Sequence, residues 1–594
     1  MIKLFRFLRK RDWLYVVICL GLIAGQVVLE LKLPDLMGEI TLLVSTKGAV
    51  SDVWIAGGKM LGYALGSALM SVVVGYLASK IACNFSYTVR KKEFEKITNF
   101  GTNEMKKFSV PSLITRTTND ITQLQMLISM GLQIMIKAPL LAIVALVKIA
   151  GKSWELSTVL FVALLILVVS IVTILIIVLP KFKKIQKQVD GVNRVSEENL
   201  QGVKVVRAFN AEGYEKGKFE KVNDDLTKTN LFTNRWLCAL FPILNVVMSG
   251  ISLAIYYVGA LLVNKQVGDT MQTTIALKGQ MFKQVVEFSS YGIYVIMGFV
   301  MLSMIFMILP RASVSAKRIN EVLKQDILVK QGTNDYNDEI DSASQGSIEF
   351  RNVSFKYPNG EENVISDVNF KISKGETLAI VGSSGSGKST LVNLICRLYD
   401  ATSGEVLIDD HNIKDYTFDS LYNKVGYIPQ KSVMFSSSVK DNVNFGKTKH
   451  LATDEDVENA ISLAQGKDFV EEMDGGINAM ISQGGINISG GQKQRLSIAR
   501  SIVRKPEILI FDDSFSALDY KTDKKLRDEL KQKLSDTTCV IVASRVGTIK
   551  NADKILVLDD GKVAGLGTHD ELMQNCKVYE EIVLSQLSKQ EIEG

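Results

Sequence analysis

Residues 377–392 read TLAIVGSSGSGKSTLV. Within that run Gly382, Ser383, Ser384, Gly385, Ser386, Gly387, Lys388 and Ser389 satisfy G-x-x-x-x-G-K-[ST], the spacing of a phosphate-binding loop. The chemistry follows from the residue types. Glycines let successive backbone N–H groups converge on phosphate oxygens, and a helix N-terminus adds partial positive charge. Lys388 can reach β- and γ-phosphates, and Ser389 can hold Mg²⁺. Average composition gives about 0.02 such matches in a chain of this length, so a chance Gly/Ser loop is a poor explanation.

The motif needs a strand before it and a helix after it, and both are written into the residues. Thr377–Val381 is β-branched and apolar, and Ser389 onward has helical spacing. Further strand-like runs at Ser347–Phe355, Glu405–Asp409, Ile508–Phe511, Thr538–Ala543 and Lys554–Leu558 alternate with helical stretches, the pattern of an α/β domain with a largely parallel sheet.

The other half of the chain is of a different kind. Its 594 residues are 47% hydrophobic and 22% charged, with a mean hydropathy of +0.16, and the charge-free stretches stop near residue 309. Leu156–Leu179 is almost pure Leu, Val and Ile; as a helix it runs about 36 Å, enough for a hydrocarbon core of about 30 Å. Six spans are expected, at about 13–35, 57–83, 122–148, 156–180, 237–263 and 285–309. Several windows of this length exclude buried helices of a soluble core. The first is not a cleaved signal peptide, because no small-residue cleavage site follows it.

Basic residues flank the apolar runs (Lys3, Arg6, Arg9, Lys10, Arg11; Arg90, Lys91, Lys92; Lys181, Lys183, Lys184). That distribution fits a membrane surface rather than nucleic acid, and the excess of positive charge places both termini and the loops 84–120 and 181–235 in the cytoplasm. Residues 1–10 alternate apolar and basic faces, as an interfacial helix would. The six Cys form no close pair, which argues against a zinc knuckle or disulfide framework. Only three His exist, His411, His450 and His569. Residues 331–345 have linker composition, giving expected domains of 1–310 (membrane), 311–345 (linker) and 346–594 (nucleotide-binding).

Two further stretches identify a family. Residues 488–500 read ISGGQKQRLSIAR and residues 508–519 read ILIFDDSFSALD. With the phosphate loop and the six spans, the chain resembles a half-size exporter of the ATP-binding cassette (ABC) superfamily over essentially its whole length. The resemblance implies an α-helical transmembrane bundle of six spans followed by an α/β P-loop nucleotide-binding domain, with ATP and Mg²⁺ as cofactors. It places Tyr357 against adenine, the run from Gly382 to Ser389 with Thr390 around the phosphates, and Ser389, Gln430 and Asp512 around Mg²⁺. Ser489, Gly490, Gly491 and Gln492 match the signature that caps ATP held by the opposite subunit, and Asp519 matches a loop linking the two sites. Asn103–Ser112 and Ala208–Lys216 match helices that couple the two kinds of domain.

Two positions depart from the family pattern. The residue after Asp512 is normally Glu, which polarises the attacking water; here it is Asp513, one methylene shorter. A displacement of about 1 Å at a positioned base costs about 10²-fold in rate. Where the family has His before Arg545, this chain has Ser544, and none of its histidines is nearby in sequence. Gln483 and Gly484 also stand where the family often has Glu and Arg. Gln430, Asp513 and Ser544 are therefore the catalytic candidates, in a site expected to bind ATP and cleave it slowly.

The expectation is one half of a heterodimeric plasma-membrane exporter. Its partner is a second half-transporter with Glu and His at the positions of Asp513 and Ser544, its surroundings a lipid bilayer, and its cargo a small hydrophobic or amphipathic solute; no nucleic acid is expected. The alternatives are a homodimer using Asp513 as a weak base and a regulatory ATP-binding membrane subunit. Among intramembrane ionisable groups Lys137, beside Pro139, is the clearest pathway candidate, although pairing within the bundle explains it equally well.

Overall fold

Six long helical segments follow one another through the first 324 residues of the computed structural model, which describes residues 2–46, 48–336, 345–358, 360–446, 452–543 and 545–586. Four of the helices, Val50–Thr98, Trp154–Gln201, Glu212–Lys265 and Met271–Lys324, contain 48 to 54 residues. At 1.5 Å per residue they are about 72–81 Å long, more than twice a bilayer core. The first segment is broken at Leu31 between Lys10–Glu30 and Lys32–Ser45. Pro34 fits the break, since it has no N–H to donate to the Glu30 carbonyl and sits in the first turn of the second piece, where that donor is not needed.

The helix expected to end near residue 309 continues through Pro310 to Lys324. Ala312, Ala316, Ile319 and Val322 are fully buried along one face, and that burial outweighs the single hydrogen bond Pro310 removes. Residues 311–324, read from composition as the start of a linker, are therefore helix. The N-terminal residues Ile2–Phe7 form a short helix as expected, with Leu4 buried in the cluster around Phe85 and Val89.

The chain divides into two compact units, Met1–Thr98 with Val110–Lys324, and Asn99–Ser109 with Gln325–Gly594. The short helix Thr102–Phe108, from the first long loop, thus belongs to the second unit. Glu104 in it is buried and accepts hydrogen bonds from the backbone N–H of Gly101 (2.9 Å) and of Leu328 (3.2 Å).

The second unit has a six-stranded sheet in the order Lys562–Gly567, Lys554–Asp559, Thr377–Gly382, Thr538–Val542, Ile508–Asp512, Val425–Ile428. All neighbours are parallel except the first pair. Its parallel strands are largely buried, hence their unbroken apolar runs, whereas the antiparallel edge strand Lys562–Gly567 is exposed or half-buried along its length. A second, antiparallel sheet pairs Ile348–Phe355 with Ile365–Ile372 and Ser403–Ile408. The edge strands 365–372, 425–428 and 562–567 were not evident from composition. In the parallel sheet Gly382 lies beside Leu558 and Val542 beside Asp512, so these strands end together along one carboxyl edge, where α/β sheets place their ligands.

Candidate functional site

At that edge the chain turns sharply from strand Thr377–Gly382 into helix Lys388–Ile395 around a cavity of about 600 Å³. Gly382, Ser383, Ser384, Gly385, Gly387, Lys388, Ser389 and Thr390 line it, with Gln430, Asp512 and Asp513 opposite. Two loop positions call for glycine: a Cβ on Gly382 would run into the Leu558 carbonyl oxygen, and Gly387 has φ +100°, with Ile365 Cδ1 2.5 Å from where its Cβ would lie. Ser386 is buried, and its Oγ has no hydrogen-bond partner among the described residues.

Lys388 Nζ donates to the carbonyls of Gly382 (2.9 Å) and Ser383 (2.7 Å). Burial lowers its pKa, with the charges of Asp513 and Asp512 acting in the opposite direction. Asp512, at the end of Ile508–Asp512, accepts from Ser389 Oγ on Oδ1 (3.2 Å) and from Tyr427 Oη on Oδ2 (3.3 Å). Burial raises its pKa, and those two hydrogen bonds oppose the shift. Asp513 follows with φ +50°, a region in which Asp is tolerated better than most residues, and its Oδ2 accepts from Gln430 Nε2 at 3.0 Å. Ser389 bonded to Asp512, and Gln430 bonded to Asp513, thus line one side of the cavity with side-chain oxygens, a donor chemistry suited to a hard divalent cation.

Tyr357 stands on the same helix through its hydroxyl, 3.1 Å from Thr390 Oγ1, and packs edge-on against Phe355 and Tyr399. The Lys106 ammonium lies 5.4 Å from the centroid of its ring. Sequence reasoning missed this contact, because nothing in the residues around 106 points to position 357. It also missed Tyr427, and Ile582, Ser585 and Gln586 from the C-terminal end, which line the cavity as well.

The signature is not among the residues lining that cavity. Ser489 caps helix Gly490–Ile502, its Oγ accepting from Gln492 N (3.3 Å) while Gln492 Oε1 accepts from Ser489 N (2.8 Å). A Cβ on Gly490 would meet nothing within 4 Å, so this helix N-terminus is open. Asp519 caps helix Tyr520–Lys533 by accepting from Thr522 N (3.0 Å), the bond that chiefly holds its carboxyl below the usual range. Gly484 has φ +67° in the loop before the signature, a backbone that an Arg there would adopt only with strain. Ser544 lies outside the described residues.

A phosphate cradle at a parallel-sheet edge, on one chain with six membrane-length helices, defines an ATP-driven membrane transporter. Residues 365–516 match the ABC transporter model and residues 16–285 the ABC transporter transmembrane region. An uncharacterized ABC transporter ATP-binding protein of Mycobacterium tuberculosis is 35% identical over 94% of this chain and 93% of its own. A Staphylococcus aureus protein bearing the name "putative multidrug export ATP-binding/permease protein" is 32% identical over 85% of each chain. The solved structure of a bacterial Atm1-family ABC exporter with ATP bound shares the fold, with a TM-score of 0.75 over 98% of this chain and 100% of that one, at 21% identity.

The chain belongs to the ABC transporter family. It has the half-size exporter arrangement, one transmembrane region followed by one ATP-binding domain, and is an ATP-hydrolysing, multi-pass membrane protein that works with a dimer partner.

Proposed function

We propose that this chain is the degenerate-site half of a heterodimeric exporter that moves a hydrophobic or amphipathic solute outward across the plasma membrane. The observation carrying this reading is the pair Gln430–Asp513. A carboxylate one methylene short of the family's Glu lines the phosphate cavity and is engaged by the glutamine amide at 3.0 Å, which leaves it less reach toward an attacking water. Ser544, in place of His, adds a second loss of reach and removes a titratable group.

In this reading the residues divide the work. Tyr357 stacks on adenine; the loop from Gly382 to Thr390 wraps the phosphates; Lys388 leaves the Gly382 and Ser383 carbonyls to neutralise the β/γ oxygens. Ser389, Asp512 and Gln430 would hold Mg²⁺, which when bound neutralises charge on the phosphates. Asp513 orients water poorly, so the cradle grips ATP and releases phosphate slowly. Ser489, Gly490, Gly491 and Gln492 lend their open helix N-terminus to ATP bound on a partner that carries Glu and His, and Asp519 relays between the two sites. Support for an exposed docking tip comes from Phe209 and Tyr214, at 79% and 74% exposure in the second long loop. Both termini and the nucleotide domain face the cytoplasm by the distribution of Lys and Arg.

Phosphate release by the purified chain tests the proposal. Slow turnover that Asp513→Ala barely changes is expected; brisk turnover abolished by Asp513→Ala would establish the homodimer, in which the Gln430-held Asp513 is the base.

A further inference from the structure

The strongest unassigned feature lies inside the membrane unit. Lys137 Nζ and Glu30 Oε1 are 2.8 Å apart, both side chains largely buried at 20% and 17% exposure. Glu30 Oε1 also accepts from Gln26 Nε2 (3.0 Å) and Ser67 Oγ (3.1 Å). All three bonds fall on one oxygen. Glu30 Oε2 has no hydrogen-bond partner among the described residues, and Lys137 uses one of its three hydrogens.

Glu30 and Lys137 both border a cavity of about 480 Å³, within the ordinary range for small-molecule sites. Its existence has a sequence cause. Ala64, Ser67, Ala68 and Ser71 recur at helical spacing on Val50–Thr98, so one face of that helix carries only small side chains where the pair sits. The remaining wall includes Tyr294, Met297 and Met301, an aromatic ring and two pliable thioethers.

We infer that this cavity binds the head group of the exported solute, and that the head group is zwitterionic on an apolar body. The inference rests on the export reading above and specifies its cargo. The charges of Glu30 and Lys137 cancel, so a ligand of net charge would leave that charge uncompensated at low dielectric. A head group bearing both signs presents its cation to the Glu30 carboxylate and its anion to Lys137, and adds no net charge.

The test uses the assembled transporter with its partner in nanodiscs, without ATP, and three probes of equal chain length: N-octyl-N,N-dimethylglycine, octyltrimethylammonium and octyl sulfate. After subtraction of binding to empty nanodiscs, the zwitterion is expected to bind at least about tenfold tighter than either singly charged probe, equivalent to about 1.4 kcal/mol. Glu30→Gln and Lys137→Met should each remove that preference. Met301→Trp, which fills the cavity and touches neither charge, should abolish binding and decides the matter if the charge variants fail to assemble. Equal binding of the three probes, or binding indifferent to Met301→Trp, overturns the site. ATP-driven flux of a hydrophobic dye in inside-out vesicles is measured separately. Flux without zwitterion preference defeats this site alone, and zwitterion binding without any flux defeats the export reading.

Discussion

One methylene separates Asp513 from the Glu expected at that position, and in the proposed reading that lost reach slows cleavage. Its carboxylate reaches Gln430 at 3.0 Å and is held by a left-handed backbone at φ +50°. Restoring reach should restore rate. Asp513→Glu with Ser544→His in this chain is expected to raise its own phosphate release by about 10²-fold, measured with the purified single chain, since about 1 Å of displacement at a base carries that cost. Lys388→Met should instead remove ATP binding, read by nucleotide photolabelling. The phosphate loop was legible residue by residue, because its chemistry needs consecutive positions. Tyr427 and Lys106 were not legible, as each meets its partner only through the fold. The Glu30–Lys137 pair shows the same limit: Lys137 was visible as a charge in an apolar span, but its partner lies 107 residues away.

At the scale of elements, two short segments decide how the site is held. The turn at Gly387 is compelled by φ +100° and by Ile365 lying where a Cβ would go. Gly387→Ala should destabilise the nucleotide domain by about 1–3 kcal/mol, seen as a lowered Tm with ATP affinity falling alongside. Helix Thr102–Phe108 is anchored by Glu104, whose carboxylate satisfies two backbone N–H groups at Gly101 and Leu328. Glu104→Ala removes both hydrogen bonds, and hydrogen exchange at those two amides should lose protection. The sequence pattern revealed a helical loop there; that its acid is an anchor depends on Leu328, far along the chain. The same kind of tertiary term carried the last membrane helix through Pro310 to Lys324, where composition alone suggested a linker. Six spans and a parallel sheet were legible because their periodicities are strong, and the short edge strands were not.

For the whole molecule, the proposed division of work requires the signature at residues 489–492 to serve another subunit. Gly490 borders open space at a helix N-terminus, where an acidic side chain favours the helix dipole. Gly490→Asp is therefore expected to leave this chain folded and its own ATP binding intact, while turnover of the assembled transporter falls by at least about tenfold, because negative charge would face the partner's ATP. The most direct measurement is steady-state phosphate release by the purified chain, alone and then co-assembled with its partner. Slow release alone, with fast release on assembly that survives Asp513→Ala but not loss of the partner's Glu, is the expected result. Fast release by the lone chain, extinguished by Asp513→Ala, would contradict it.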